Sequence, residues 1–207
     1  MQETPNARRF AAIIAVLAGC AVAAQFGLNL AKGDRTAAEV LLRLFGYFTI
    51  WSNTAVAVVA AHYARHGPVG LSRPAVLASV LVYIIVVGLI YNTLLIGFNH
   101  VTGLRLVIDR VLHMAVPLAY PVWWWRFRPA GALQWRDLAV SLPVPFLYCL
   151  WSLYRGAATG KYAYFFIDVG KFGWSQVIVN IAGLVLLFMA LMAAAIWVDR
   201  RRQPVVA

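Results

Sequence analysis

Acidic side chains are almost missing from this chain: seven Asp and Glu stand among 207 residues. Charged residues of either sign make up 12% of it, about half of what a soluble domain carries. That scarcity excludes an ordinary water-facing surface. Two cysteines and four histidines are scattered along the chain without clustered thiols or carboxylates, so no metal site of the zinc type is expected. A Gly-rich phosphate loop, a G-x-S-x-G elbow and any nucleotide fingerprint are also missing, and no cofactor is expected. No repeat, low-complexity tract or soluble insertion appears, so residues 1–207 read as a single domain.

What is present is apolar. Hydrophobic residues make up 63% and mean hydropathy is +0.77, in runs of about 20 residues, the length that crosses a bilayer. The expected fold is all-α: a polytopic integral membrane bundle of six transmembrane helices, spanning about 10–31, 39–62, 75–97, 105–126, 137–155 and 174–198. Without water at depth, each span must satisfy its backbone internally, which makes it helical. Pro117, Pro121, Pro143 and Pro145 are expected to kink spans four and five. Cys20 and Cys149 fall inside spans, and no disulfide is expected. Leu17-Ala18-Gly19-Cys20 resembles a lipoprotein cleavage site, but the apolar run continues past it, which favours a first span over a removable signal.

The net charge of +11 sits at span ends rather than in one patch, which points to membrane lipids as partners and not to nucleic acid. With both termini in the cytoplasm, that side holds Arg8, Arg9, Arg65, Arg73, Arg126, Arg128, Arg136 and Arg200 to Arg202. The other side holds Lys32, Arg35, Arg105, Arg155, Lys161 and Lys171. Ten against six favours an N-in, C-in chain.

Polar residues gather in the outer halves of the spans. Counted at about 1.5 Å per residue, Thr49 falls about 15 Å and His113 about 12 Å from the outer ends of spans two and four. Tyr91, Asn92, Gln176 and Asn180 lie in the outer parts of spans three and six, and a shared cavity would explain the convergence. Arg43, Gly46, Thr49 or Ile50, and Asn53 fall on one face of span two at helical spacing. Asp109 and His113 are four apart, so the carboxylate can orient the imidazole as the third group of a nucleophile–base system does. His113 is the only histidine deep in a span; His62, His66 and His100 lie at ends or in loops. Each residue also has a plainer role. Thr, Ser and Asn in membrane helices mostly hydrogen-bond a carbonyl or a neighbouring helix.

Four strings carry a resemblance: Y-F-T-I-W-S-N from Tyr47 to Asn53, the pair Tyr91-Asn92, L-H-M-A-V-P from Leu112 to Pro117, and R-G-A-A-T-G-K-Y-A-Y-F-F-I-D from Arg155 to Asp168. In this order they resemble the androgen-induced and androgen-dependent membrane protein family, and more closely its bacterial six-helix relatives of the Pr-six-Pr type. The animal members are intramembrane threonine hydrolases that cleave fatty acid esters of hydroxy fatty acids. The resemblance implies Thr49 as nucleophile, His113 as base, a lipid or fatty-acid ester as substrate and the bacterial inner membrane as location.

Around that pair, Asp109, Asn53, Ser52 and Asn92 are expected to orient the base or donate to an oxyanion. Arg43, Arg155 or Lys161 would hold a substrate carboxylate, and Tyr91, Tyr164, Asp168 and Asn180 would line the cavity. The rival reading is a non-catalytic transporter or lipid-binding protein using the same cavity. Against a transporter stands the lack of an inverted repeat.

Overall fold

The computed structural model describes residues 5–98, 101–127 and 130–201, and every regular element in them is helical. His100, Arg128 and Arg202 lie outside the described residues. The α-helices are α1 (Pro5–Leu30), α2 (Ala37–Leu44), α3 (Phe48–His66), α4 (Pro74–Ile90), α5 (Gly103–Arg110), α6 (Val116–Phe127), α7 (Pro143–Thr159) and α8 (Val169–Arg201). A π turn over Tyr91–Leu95 prolongs α4, and a second over Val111–Ala115 joins α5 to α6. Among the described residues, five helices are long and apolar enough to cross a membrane, or six if α2 and α3 form one bent span, an architecture that fits a multi-pass integral membrane protein.

The second expected span is not straight. Thr36 and Glu39 start α2 with a reciprocal capping box, the Glu39 carboxylate accepting the Thr36 amide at 2.8 Å. The chain then turns by 95° at residues 45–47 before α3 begins. Such an elbow leaves carbonyls without helical partners. Side chains supply them. Trp51 Nε1 and Trp151 Nε1 donate to the Phe45 carbonyl at 2.8 and 3.0 Å, and the Tyr148 hydroxyl donates to that of Gly46 at 2.9 Å. A bend at membrane depth is tolerated on that condition.

The elbow corrects two expectations. Arg43 and Gly46 do not share a continuous helix face with Thr49 and Asn53, and Thr49 lies in the first turn of α3 rather than ten residues into a helix. The prolines of span five are also placed differently. Pro143 opens α7 at its first position with Pro145 in the same turn, so they begin a helix where their missing N–H groups cost nothing. Pro121 does lie inside α6.

α4 is the most enclosed span, two thirds of it buried. α1 lies against α3, and the buried residues of α1 include Ala7, Ala11, Ala15 and Ala18, small residues that let membrane helices approach closely. Phe48, at the start of α3, packs its ring against those of Tyr83, Tyr148 and Phe188, with centroids 5.1 to 6.0 Å away. Contacts also order the two ends of the bundle. Trp123 Nε1 donates to the Ala7 carbonyl, and the Gly131 amide to that of Asp199, so the first turn of α1 and the C-terminal ends of α6 and α8 share one end. At the other end Arg105 donates to the Leu28 carbonyl, joining α5 to the last turns of α1.

Candidate active site

Thr49 and His113 are 64 residues apart and meet. Thr49 Oγ1 lies 3.1 Å from His113 Nε2. On the far side of the ring, Nδ1 is 3.0 Å from the Asp109 carbonyl and 3.2 Å from the Asp109 carboxylate. Both of those partners are acceptors, so Nδ1 holds the proton and Nε2 turns its lone pair to the Thr49 hydroxyl. That is the tautomer a general base needs. The Tyr91 ring stacks on the imidazole, 3.9 Å between centroids and 14° between planes, and its hydroxyl donates to the second oxygen of the Asp109 carboxylate. His113 lies ten residues along from Gly103, about 15 Å, in the half of the bundle away from the start of α1.

Backbone irregularity supports this geometry. In the Val111–Ala115 π turn the Val116 amide reaches back five residues to Val111, which leaves the Leu112 carbonyl without its usual donor. Pro117 has no N–H, so the His113 carbonyl lacks one too. Asn53 Nδ2 donates to the Leu112 carbonyl at 3.2 Å, and Asn92 Nδ2 to that of His113 at 3.3 Å. Each amide also donates to a carbonyl on its own helix, those of Thr49 and Gly88, at 2.9 and 2.7 Å. The two amide protons of each asparagine are thereby engaged. Asn53 and Asn92 hold the backbone on either side of His113, and the oxyanion-donor assignment is corrected for both. Gly88 makes the approach possible: a Cβ there would lie 2.8 Å from Pro117 Cβ, so α4 and α6 touch at that point.

Ser52 is buried, and its Oγ has no hydrogen-bond partner among the described residues; the same holds for Asn53 Oδ1 and Thr54 Oγ1. Of the three cations proposed for a substrate carboxylate, Arg43 and Lys161 are exposed. Arg155 is half-buried and packs its guanidinium on Gly46, where a Cβ would overlap it. Of the three, only Arg155 lays its side chain against the elbow residue Gly46.

A cavity of about 560 Å³ opens beside Thr49. Its wall is almost wholly apolar, with Ile90, Phe146, Ile181 and Phe188 among the lining residues; Thr49, Tyr91, Tyr148 and Tyr164 are the hydroxyl-bearing residues among those that line it. Asp168 and Asn180, expected on this wall, are elsewhere. Asp168 Oδ1 accepts the Lys171 amide at 3.1 Å and caps α8, a role readable from an aspartate three residues before a helical amide. Asn180 Nδ2 donates to the Phe166 carbonyl at 2.7 Å and ties the connection between α7 and α8 to α8.

That connection reads in alternate residues. Gly160 ends α7 in a left-handed conformation (φ 68°), where a side chain is disfavoured. Tyr162 covers Gly156, which leaves no room for a Cβ. Tyr164 reaches the site, Phe166 stacks on it with centroids 5.2 Å apart, and Asp168 caps. The Tyr164 hydroxyl accepts the Phe48 amide at 3.1 Å and lies against the Thr49 amide, the Thr49 hydroxyl and the Tyr148 hydroxyl. Sequence reasoning placed Tyr164 on the cavity wall but missed this contact with the first turn of α3.

No family model, no curated protein and no solved structure matches the chain. Its function is therefore argued from the arrangement itself: a hydroxyl, an imidazole and a carboxylate in series beside an apolar cavity.

Proposed function

We propose that this protein is an intramembrane threonine hydrolase that cleaves lipid esters, fatty acid esters of hydroxy fatty acids among them. The observation that carries the reading is the 3.1 Å contact between Thr49 Oγ1 and a His113 nitrogen that has Asp109 behind it, on the wall of an apolar cavity. Thr49 Oγ attacks the ester carbonyl carbon as its proton passes to His113 Nε2. The carbonyl re-forms, the alkoxide leaves with the proton from His113, and the acyl group stays on Thr49. Water then attacks the acyl-threonine, giving its proton to His113. The fatty acid departs and the threonine hydroxyl is restored. The cavity takes the acyl chain, and Arg155 at the elbow faces a carboxylate on the leaving portion. In the membrane the bent α2–α3 pair counts as one of six spans. The shared end of α1 and α8 suits that even number, and the excess of basic residues there supports our reading of this end as cytoplasmic, in a bacterial inner membrane.

The test is labelling of the purified protein with a fluorophosphonate, together with hydrolysis of a long-chain ester. Labelling is expected to vanish in Thr49→Ala and to fall at least a hundredfold in rate in His113→Ala, with both variants folded. Labelling of Thr49→Ala at the wild-type rate would sink the mechanism.

A further inference from the structure

We propose that the Tyr164 hydroxyl donates the hydrogen bond that stabilises the oxyanion formed when Thr49 attacks an acyl carbonyl. The inference rests on the hydrolase reading above and names a group that touches the reacting atoms.

A tetrahedral intermediate needs a donor close to the nucleophile, already in place and shielded from water. Besides Thr49, the side chains of this cluster with protons to give include Tyr91, Tyr148, Tyr164, Asn53 and Asn92. The Thr49 proton faces His113 Nε2, the Tyr91 proton faces the Asp109 carboxylate, and the Tyr148 proton faces the Gly46 carbonyl. The amide protons of Asn53 and Asn92 face four backbone carbonyls. Tyr164 differs. The Phe48 amide donates to its oxygen, so that oxygen is held as an acceptor and its own proton is not used in this bond. The groups within reach of that proton are the Thr49 hydroxyl and the Tyr148 hydroxyl, both of which give their own protons elsewhere. The hydroxyls of Ser52 and Thr54 are also unpartnered among the described residues but do not line the cavity, so Tyr164 is the cavity-lining hydroxyl whose proton no carbonyl, carboxylate or imidazole claims.

Its place in the cavity agrees. Thr49 and Tyr164 both line the apolar cavity, whereas His113 does not. An acyl carbonyl arriving through it meets the nucleophile and the Tyr164 hydroxyl on one side, with the base behind the nucleophile. The positive end of α3 lies under both and adds favourable potential for a developing anion. During attack the new Oγ–carbon bond forms as the carbonyl π pair moves onto oxygen, and Thr49 gives its proton to His113. The oxyanion accepts a hydrogen bond from Tyr164 without taking its proton. When the carbonyl re-forms, the alkoxide leaves with the proton from His113 and Tyr164 returns to its resting partners.

The experiment compares Tyr164→Phe with the wild type in detergent. The readouts are ester hydrolysis, thermal unfolding, and inhibition by a long-chain alkyl trifluoromethyl ketone and its unfluorinated methyl ketone. The fluorinated ketone forms a tetrahedral adduct with the nucleophile; the methyl ketone only fills the cavity. Tyr164→Phe is expected to lower kcat by about 10²–10³-fold and to leave KM within about threefold. Trifluoromethyl ketone inhibition should weaken by a similar factor, with the methyl ketone unchanged. Equal weakening of both ketones, or an unchanged kcat in folded protein, overturns the proposal. If Tyr164→Phe does not fold, 3,5-difluorotyrosine at position 164 keeps the hydroxyl and makes it a stronger donor. Trifluoromethyl ketone binding must then tighten relative to the methyl ketone, and an unchanged or lower ratio overturns the assignment. A wild-type protein that neither hydrolyses ester nor is labelled at Thr49 defeats the hydrolase reading itself. An active wild type with an indifferent Tyr164→Phe defeats only the role of Tyr164.

Discussion

Replacing Asp109 by asparagine separates charge from orientation at this site. The His113 Nδ1 proton has two acceptors, the Asp109 carbonyl at 3.0 Å and the carboxylate at 3.2 Å, and only the second is lost as a charge. The backbone carbonyl remains to hold the tautomer, so Nε2 keeps facing Thr49. What disappears is the attraction between carboxylate and imidazolium once His113 has taken the proton. Unit charges 3.2 Å apart interact by about 5 kcal/mol at an effective dielectric constant of about 20. The hydrogen bond from Tyr91 draws off part of the carboxylate charge, and the neutral amide still accepts a hydrogen bond. About 3–4 kcal/mol is left, which is roughly 10²–10³-fold in rate.

The assay is the pseudo-first-order rate of fluorophosphonate labelling for wild type, Asp109→Asn and His113→Ala, with thermal unfolding measured on each. The expected order places Asp109→Asn between the other two. A rate within threefold of wild type in folded Asp109→Asn refutes the charge argument. A loss of about 10⁴-fold, the size seen when a triad histidine is held in the wrong tautomer, refutes the claim that the backbone carbonyl suffices to orient the ring.

Three other substitutions, with one control, probe the surroundings. Asn53→Ala strips donors from the carbonyls of Thr49 and Leu112 in a buried place, and thermal unfolding should report a loss of about 1–3 kcal/mol. Gly88→Ala puts a methyl 2.8 Å from Pro117 Cβ; overpacking of that kind costs about 1–3 kcal/mol, and the same unfolding assay should register it together with slower labelling. Cys149→Trp fills part of the cavity that Cys149 lines, so long-chain ester hydrolysis should drop at least tenfold while an acetyl ester is still cleaved. Cys20→Trp, on an exposed position of α1, should leave that chain-length profile as it was.

The apolar runs were legible because bilayer crossing imposes a length and a composition that few other constraints imitate. The proximity of Thr49 and His113 was legible only as a coincidence of depth, and the depth of Thr49 rested on a straight second span that does not exist. The elbow escapes sequence reasoning because its causes are remote. Trp151 and Tyr148, some hundred residues downstream, supply donors to the carbonyls that a bend at Gly46 exposes. Pro143 and Pro145 were misread because the apolar run passes unbroken through the start of α7, hiding a helix beginning inside what looked like one span. The roles of Asn53 and Asn92 depend on which carbonyls a π turn releases, and composition carries no mark of that register. Asp168 was within reach of an ordinary capping argument, and its place at the end of a shared string drew it toward the cavity instead.

The two π turns put part of the site into the chain as spacing rather than as residue type. Each holds one more residue than an α-helical turn would, and one residue of an α-helix amounts to about 100° of rotation. Deleting a single position between Val111 and Ala115, His113 itself excepted, would leave Thr49, Asp109 and His113 in the sequence. Removing Met114, for instance, would also set Pro117, which has no N–H, opposite the Leu112 carbonyl, and turn everything on one side of the deletion through more than a quarter circle relative to the other. A chain can therefore carry all three of these residues and lack the constellation, and a count of the residues between Asp109 and Pro117 tells the two apart.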